Sequence, residues 1–150
     1  MTAKTSAGST LKMTASQPAT YDASGYNALS YTTLGEVTDL GEFGRQYTLV
    51  THNPLATRST IKKKGSYNEG NINLGLGLDN ADAGQILAKA ASVSDNDYSF
   101  CITIQDGTKY YFQAQVMSFK PNVGSVDKIT TCSVSLELTS NSAGVGIVQV

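Results

Sequence analysis

Tryptophan is absent, histidine occurs once, cysteine twice, and only 15% of the residues carry charge. Each shortage removes a class of function. A metal centre needs three or four nitrogen, sulfur or oxygen ligands, and His52 has no Cys/His/acid cluster at ligand spacing around it. Nucleophilic catalysis by Cys101 or Cys132 needs a base, and no histidine lies near either in sequence. No Gly-x-Ser-x-Gly elbow occurs. The cysteines have no CxxC spacing, so they read as small core residues with free thiols rather than as a disulfide framework. No run approaches membrane-spanning length, and no N-terminal apolar h-region is present. The expectation is synthesis and assembly in a reducing cytoplasm, with no membrane partner. A net charge of −1 argues against bulk nucleic-acid binding.

What fills the chain is Thr, Ser, Asn and Gly, with 8 Tyr against 4 Phe. That mixture favours strands and loops, and tyrosines tolerate half-burial at interfaces. The length suits a single domain over residues 1–150. Residues 1–10 are small and polar and read as a flexible arm. Residues 15–33 form an aromatic loop with Tyr21, Tyr26 and Tyr31. It covers the domain's own core or, for Tyr26 and Tyr31, meets a neighbouring subunit.

Strand patterns fall at residues 34–40, 46–51, 71–78, 98–105, 108–119 and 126–139. In the fourth and fifth, Asp106-Gly107 sits between two apolar runs, which predicts a hairpin with a type I′ turn. Alternation along 71–78 puts Ile72, Leu74, Leu76 and Leu78 on one side, opposite a thin face of Asn71, Asn73, Gly75 and Gly77. In the last strand Cys132, Val134, Leu136 and Leu138 point inward. One helix is predicted from Asp82, whose spacing to Gln85 matches a capping box, to about residues 92–94, with Ile86, Leu87, Ala90 and Ala91 as its apolar face. The pattern adds up to a mainly β chain: an antiparallel sandwich or partly closed barrel with one short helix at its edge.

Residues 52–70 lack sustained periodicity and read as a long loop, mobile in a free subunit. They hold Arg58 and the only basic run, Lys62-Lys63-Lys64. Without those three lysines, eight basic residues face twelve acidic ones. Loop lysines are commonly a solvated face; here they also suit acids on a second subunit. The tail, residues 143–150, is apolar and extended, and an exposed apolar end marks a contact. Two apparent motifs fail. Gly75-Leu-Gly-Leu-Asp-Asn has Asn80 where a dinucleotide fingerprint needs its third glycine. Asp95-Asn-Asp97 lacks the central Gly and distal Glu of a calcium loop. No cofactor is implied.

Four pieces occur in a telling order: Asp82-Ala-Gly-Gln85 opening a helix, the Asp106-Gly107 hairpin, the run Phe119-Lys-Pro-Asn-Val-Gly-Ser-Val-Asp127, and the final strand with Thr131-x-x-Val134-x-Leu136. In that order they resemble the tail tube (major tail) proteins of long-tailed bacteriophages, over roughly residues 30–140. The resemblance implies a non-enzymatic virion subunit in which six copies form a ring and rings stack into a hollow tube. Genomic DNA would pass through it without tight binding. The partners implied are further copies, the tail terminator, the baseplate or tip, and the tape measure. On this reading residues 52–70 bridge rings. Arg58, Lys62, Lys63, Lys64, Tyr67, Tyr26, Tyr31, Val148 and Val150 become contact candidates. Gln46, Thr48, Asn71 and Asn73 become lumen candidates, because a conduit for DNA needs a polar wall without net positive charge. A carbohydrate-binding or adhesin β-sandwich is the alternative, since tyrosine-rich β-domains also bind sugars.

Overall fold

The computed structural model describes residues 2–150. Ten strands and two helices follow one another as β1 (Thr10–Thr14), α1 (Ala23–Asn27), β2 (Thr32–Thr33), β3 (Val37–Asp39), β4 (Gln46–His52), β5 (Ile61–Asn68), β6 (Asn71–Gly77), α2 (Ala83–Ser92), β7 (Tyr98–Thr103), β8 (Lys109–Asn122), β9 (Thr131–Thr139) and β10 (Val148–Gln149). The chain is mainly β, as expected. One antiparallel sheet, ordered β2-β1-β7-β8-β9-β6-β3 with β10 paired to β8, curls into a half-barrel. β4 and β5 pair only with each other and form a separate ribbon.

The period-2 pattern decides which way the sheet curls. Ile72, Leu74 and Leu76 of β6, Phe112, Ala114 and Val116 of β8, and Cys132, Val134, Leu136 and Leu138 of β9 all enter one core with Phe100 and Ile102 of β7. Leu11 and Met13 of β1 join them. α2 packs against β8, β1 and β2 and contributes Ala88 and Ala91. A ten-residue helix is marginal alone, so this docking is what holds it.

Asp82 caps α2 as predicted, accepting the Gln85 N–H at 3.0 Å, and accepts the Gly35 N–H at 3.1 Å as well. The reciprocal half of a capping box does not form. The Gln85 amide is buried; it donates to the carbonyls of Gly35 (3.1 Å) and Gly77 (2.9 Å) and accepts from the Asp79 N–H (2.9 Å). It therefore ties the helix start to the chain before β3 and to the end of β6. The buried face of α2 is Gly84, Gln85, Ala88 and Ala91; Ile86 faces solvent. The register moves because Gly84 lies against the backbone of Thr33 and Leu34, where a Cβ would sit 2.2 Å from the Thr33 carbonyl oxygen.

Several expected boundaries shift. The stretch 34–40 is strand only over Val37–Asp39, and residues 126–130 lie outside β9, while β8 runs on to Asn122. A second helix, α1, follows Asp22, whose carboxylate accepts the Gly25 N–H at 2.8 Å. The Asp106-Gly107 hairpin forms without a two-residue type I′ turn. Only Gly107 of the pair has positive φ (+92°), and its N–H donates to the Ile104 carbonyl, so the loop is a turn followed by one left-handed glycine.

The other face of the sheet carries a smaller core of Tyr26, Cys101 and Tyr111, with Tyr21, Tyr31, Leu29 and Val148 around it. Cys101 and Cys132 belong to these two different cores, and both are free. Burial pushes the Cys132 thiol above its ordinary pKa. The C-terminal segment is absorbed here too. Val148 pairs with Tyr111 in the sheet, and Ile147 packs on the main core.

Candidate assembly arm and polar sheet face

The stretch read as a long loop is half of a β-ribbon. Residues 46–52 are rich in β-formers, and residues 61–68 pair with them from Gln46↔Asn68 to His52↔Ile61, with a bulge between Tyr47 and Leu49. Only residues 53–60 are turn, closed by the Thr60 hydroxyl donating to the Asn53 side-chain oxygen at 2.8 Å. Loss of clean alternation hid the strand: Lys62-Lys63-Lys64 puts cations on both faces, as a two-sided exposed ribbon allows.

Every residue of β4 is exposed, and every residue of β5 except Gly65. Cross-strand register places Tyr47, Leu49, Lys62, Lys64 and Tyr67 on one face, and Val50, Ile61 and Lys63 on the other. Lys64 Nζ sits 4.6 Å over the Tyr47 ring. Leu49 is 63% exposed, and Leu55 in the turn is fully exposed. An isolated two-stranded ribbon with apolar side chains in water on both faces is marginally stable at best. The arm contains Arg58, Lys62, Lys63 and Lys64 and no acid, so it carries +4 while the rest of the chain carries −5.

At the arm's base Glu69 is 4% exposed and is held by Arg45, through Nε at 3.0 Å and Nη2 at 2.7 Å. It is the one ion pair among the described residues. The guanidinium stacks 3.8 Å over the Tyr67 ring, and both Arg45 Nη2 and the Tyr67 hydroxyl donate to the Gly144 carbonyl, at 3.3 and 3.1 Å. Hydrogen bonds to Tyr47 and Glu69 raise the Arg45 pKa further above its already high value.

Beside the base, β6 and β9 present a polar face. Asn71 stands opposite Glu137, Asn73 opposite Ser135, Gly75 opposite Ser133 and Gly77 opposite Thr131. Asn71 and Asn73 are exposed. An open groove of about 610 Å³ gathers Gln46, Asn71 and Asn73 with Asp39, Glu42 and Arg45. Three of the four lumen candidates thus share one surface, while Thr48 lies further out along β4.

The contact candidates divide. Arg58 and the three lysines are exposed on the arm, and Tyr67 is 39% exposed at its base. Val150 is half exposed at the end of the chain. Val148 is half-buried in the domain's own small core. Tyr31 is half-buried, and its hydroxyl donates to the Tyr26 carbonyl at 3.0 Å. Tyr26 is a correction. It has no exposed surface, stacks on Tyr111 with ring centroids 5.3 Å apart, and its pKa is pushed up to about 12 by burial and by nearby Tyr21. It cannot reach another subunit, because α1 turns it under the loop. Arg45 and Glu69 escaped the sequence reading; their signal was their position, the charges that flank an acid-free stretch.

Among the described residues no group of three or more His, Cys, Asp or Glu is placed to hold a metal ion. His52 ends β4 in solvent, opposite Ile61. Among the described residues no helix is long and apolar enough to cross a membrane.

No protein-family model and no curated protein matches the chain. Solved structures do. A chain of the anti-feeding prophage baseplate, 6-fold symmetrised, aligns over 100% of this chain and 97% of its own length, with a TM-score of 0.74 at 10% identity. A chain from the tail of an empty GTA particle, refined with C6 symmetry, covers 93% of this chain and 96% of its own, with a TM-score of 0.69 at 12% identity. A chain of the sheath/tube terminator of an extracellular contractile injection system, PVC, covers 100% and 98%, with a TM-score of 0.63 at 10% identity. Over 93–100% of its length the chain therefore shares its fold with chains of the anti-feeding prophage baseplate, the GTA particle tail and the PVC sheath/tube terminator.

Proposed function

We propose that this chain is a structural, non-enzymatic subunit of a phage tail or tail-like particle, and that six copies form rings which stack into a hollow tube. The observation that carries the reading is the arm. It is exposed on both faces, has apolar side chains in water, and is charged +4 against −5 for the rest of the molecule. Such a ribbon gains stability by lying on another subunit, and the remaining acidic surface of a second copy complements it. The half-barrel also leaves the short strands β2 and β3 at its ends, and closure through neighbours removes sheet edges. Alignment over 93–100% of the chain with chains from particles of sixfold symmetry supports the same arrangement.

In the proposed ring, Asn71, Asn73 and Gln46 face the channel with the Ser/Thr face of β9, and Thr48 extends that lining along the arm. The face has Glu137 and Lys120 on it and no excess of cations, so passing DNA finds no string of phosphate contacts. Arg58 and the three lysines meet acids of the adjacent ring, with Tyr67, Tyr31 and Val150 at the subunit boundary. The terminator, the baseplate or tip and the tape measure are the partners at the tube's ends and inside it. The particle assembles in the host cytoplasm and is found in the virion tail.

Negative-stain electron microscopy of concentrated protein tests the proposal. Tubes or stacked six-membered rings are expected; protein that stays monomeric at high concentration, together with failure to complement a tail defect, refutes it.

A further inference from the structure

We infer that Arg45 and Glu69 are positioning residues that set the direction of the β4–β5 arm, bracing it against the C-terminal segment; the use of that direction rests on the assembly reading above. β3 pairs with β6, and β4 pairs with β5, so the arm continues the β3–β6 ribbon across a break at residues 40–45 and 69–70. On both sides of the break the backbone is glycine at positive φ: Gly41 (+67°), Gly44 (+152°) and Gly70 (+89°). A joint of this kind has little intrinsic stiffness. No residue of β4 or β5 belongs to the main core, and the hydrophobic side chains packed there stop at Phe43 before β4 and resume at Ile72 in β6. Something else must hold it.

The Arg45 cluster does. Glu69, on the β5–β6 side of the joint, and Arg45, on the β3–β4 side, are joined by two charge-assisted hydrogen bonds. Arg45 also stacks on Tyr67, and both reach the Gly144 carbonyl. The C-terminal segment is shaped to receive them. A Cβ on Gly144 would lie 2.5 Å from the Tyr67 hydroxyl oxygen, and one on Gly146 would lie 2.3 Å from the Glu69 carboxyl carbon. The segment is itself anchored by β10 pairing with β8. Arm, joint and tail thus form a brace around one buried carboxylate.

Removing one partner would strand a buried charge, so the test replaces both. A buried ion pair exchanged for apolar side chains of similar size is often neutral for stability. In Arg45→Met/Glu69→Leu, hydrogen exchange of the free, full-length subunit should speed up at arm amides by about tenfold to a hundredfold, the loss of charge-assisted bonds worth that factor. Amides of β7, β8 and β9 should keep their wild-type rates. Gly144→Ala, which attacks the brace from the tail side, should produce the same local pattern. Unchanged arm exchange in both variants overturns the inference. Acceleration spread through the main sheet also overturns it, because the pair would then support the core rather than aim the arm. Tube formation gives a separate reading. Wild-type tubes with few or short tubes from the double variant support positioning, and equal tube number and length refute it. Failure of the wild type to form tubes would refute the assembly proposal, while the exchange pattern would still decide the brace.

Discussion

Reversing Lys62, Lys63 and Lys64 to glutamate changes the arm from +4 to −2, since Arg58 alone remains basic. The register shows why the fold should survive. Lys62, Lys63 and Lys64 stand opposite Thr51, Val50 and Leu49, so no new like-charge pair forms across the ribbon. The local loss is the cation–π contact of Lys64 with Tyr47, about 0.5–1 kcal/mol at an exposed site. Between subunits the arithmetic differs. An exposed ion pair contributes only about 0.2–1 kcal/mol. In the proposed six-membered ring, three such pairs on each arm would amount to about 4–18 kcal/mol per ring junction. In the proposed stack of rings, weak contacts repeated by symmetry would therefore decide assembly. Salt should act the same way on the wild type, because the screening length falls from about 8 Å at 0.15 M to about 3 Å at 1 M. The assay is tube length and critical concentration by microscopy and sedimentation, with circular dichroism as the folding control. The expected result is folded protein that forms rings or monomers but no long tubes. The two faces can be separated: Lys62→Glu/Lys64→Glu probes the tyrosine face, and Lys63→Glu the other. Unchanged tube length in the triple variant, with wild-type growth insensitive to salt, would refute the electrostatic account of stacking.

Asn71→Lys/Asn73→Lys should leave tubes that assemble but eject DNA poorly and with a steep salt dependence, each lysine adding phosphate contacts; normal ejection, measured by DNA-release fluorescence, would move the lumen elsewhere. Gln85→Leu leaves the Asp79 N–H and the Gly35 and Gly77 carbonyls without their partner and should cost about 2–4 kcal/mol. That corresponds to a melting temperature lower by about 5–15 °C, and a change within the error of thermal scans would show that water replaces the amide. Alkaline pH should also destabilise the chain. Tyr26 has a folded pKa raised to about 12, and burial raises those of Tyr31 and Tyr111, so the stability from keeping these phenols neutral is full below pH 10 and is lost as pH rises toward 12. Tyrosinate absorbance should show Tyr26, Tyr31 and Tyr111 ionising late, together with unfolding; ionisation of these three phenols while the protein stays folded near pH 10 would contradict the small core.

The amino-acid order alone determined the features that repeat with a short period or sit at a chain turn. Alternation placed Ile72, Leu74, Leu76, Cys132, Val134, Leu136 and Leu138 in the core, because a strand's two faces are set by residue parity. Asp82 located the start of α2, because capping is a contact between residues three apart. Tertiary structure decided whatever depended on partners far along the chain. Gln85 turned away from its own cap toward Gly35, 50 residues back. Tyr26 was buried by Tyr111, brought over it by the curl of the sheet. Lys62-Lys63-Lys64 became strand because β4 supplied the ladder that periodicity did not announce. The brace of Arg45, Glu69 and Gly144 joins residues separated by up to 99 positions, and no local pattern encodes it. Local rules act over a few residues, whereas the direction of an arm and the cover of a core are set only when distant backbone meets.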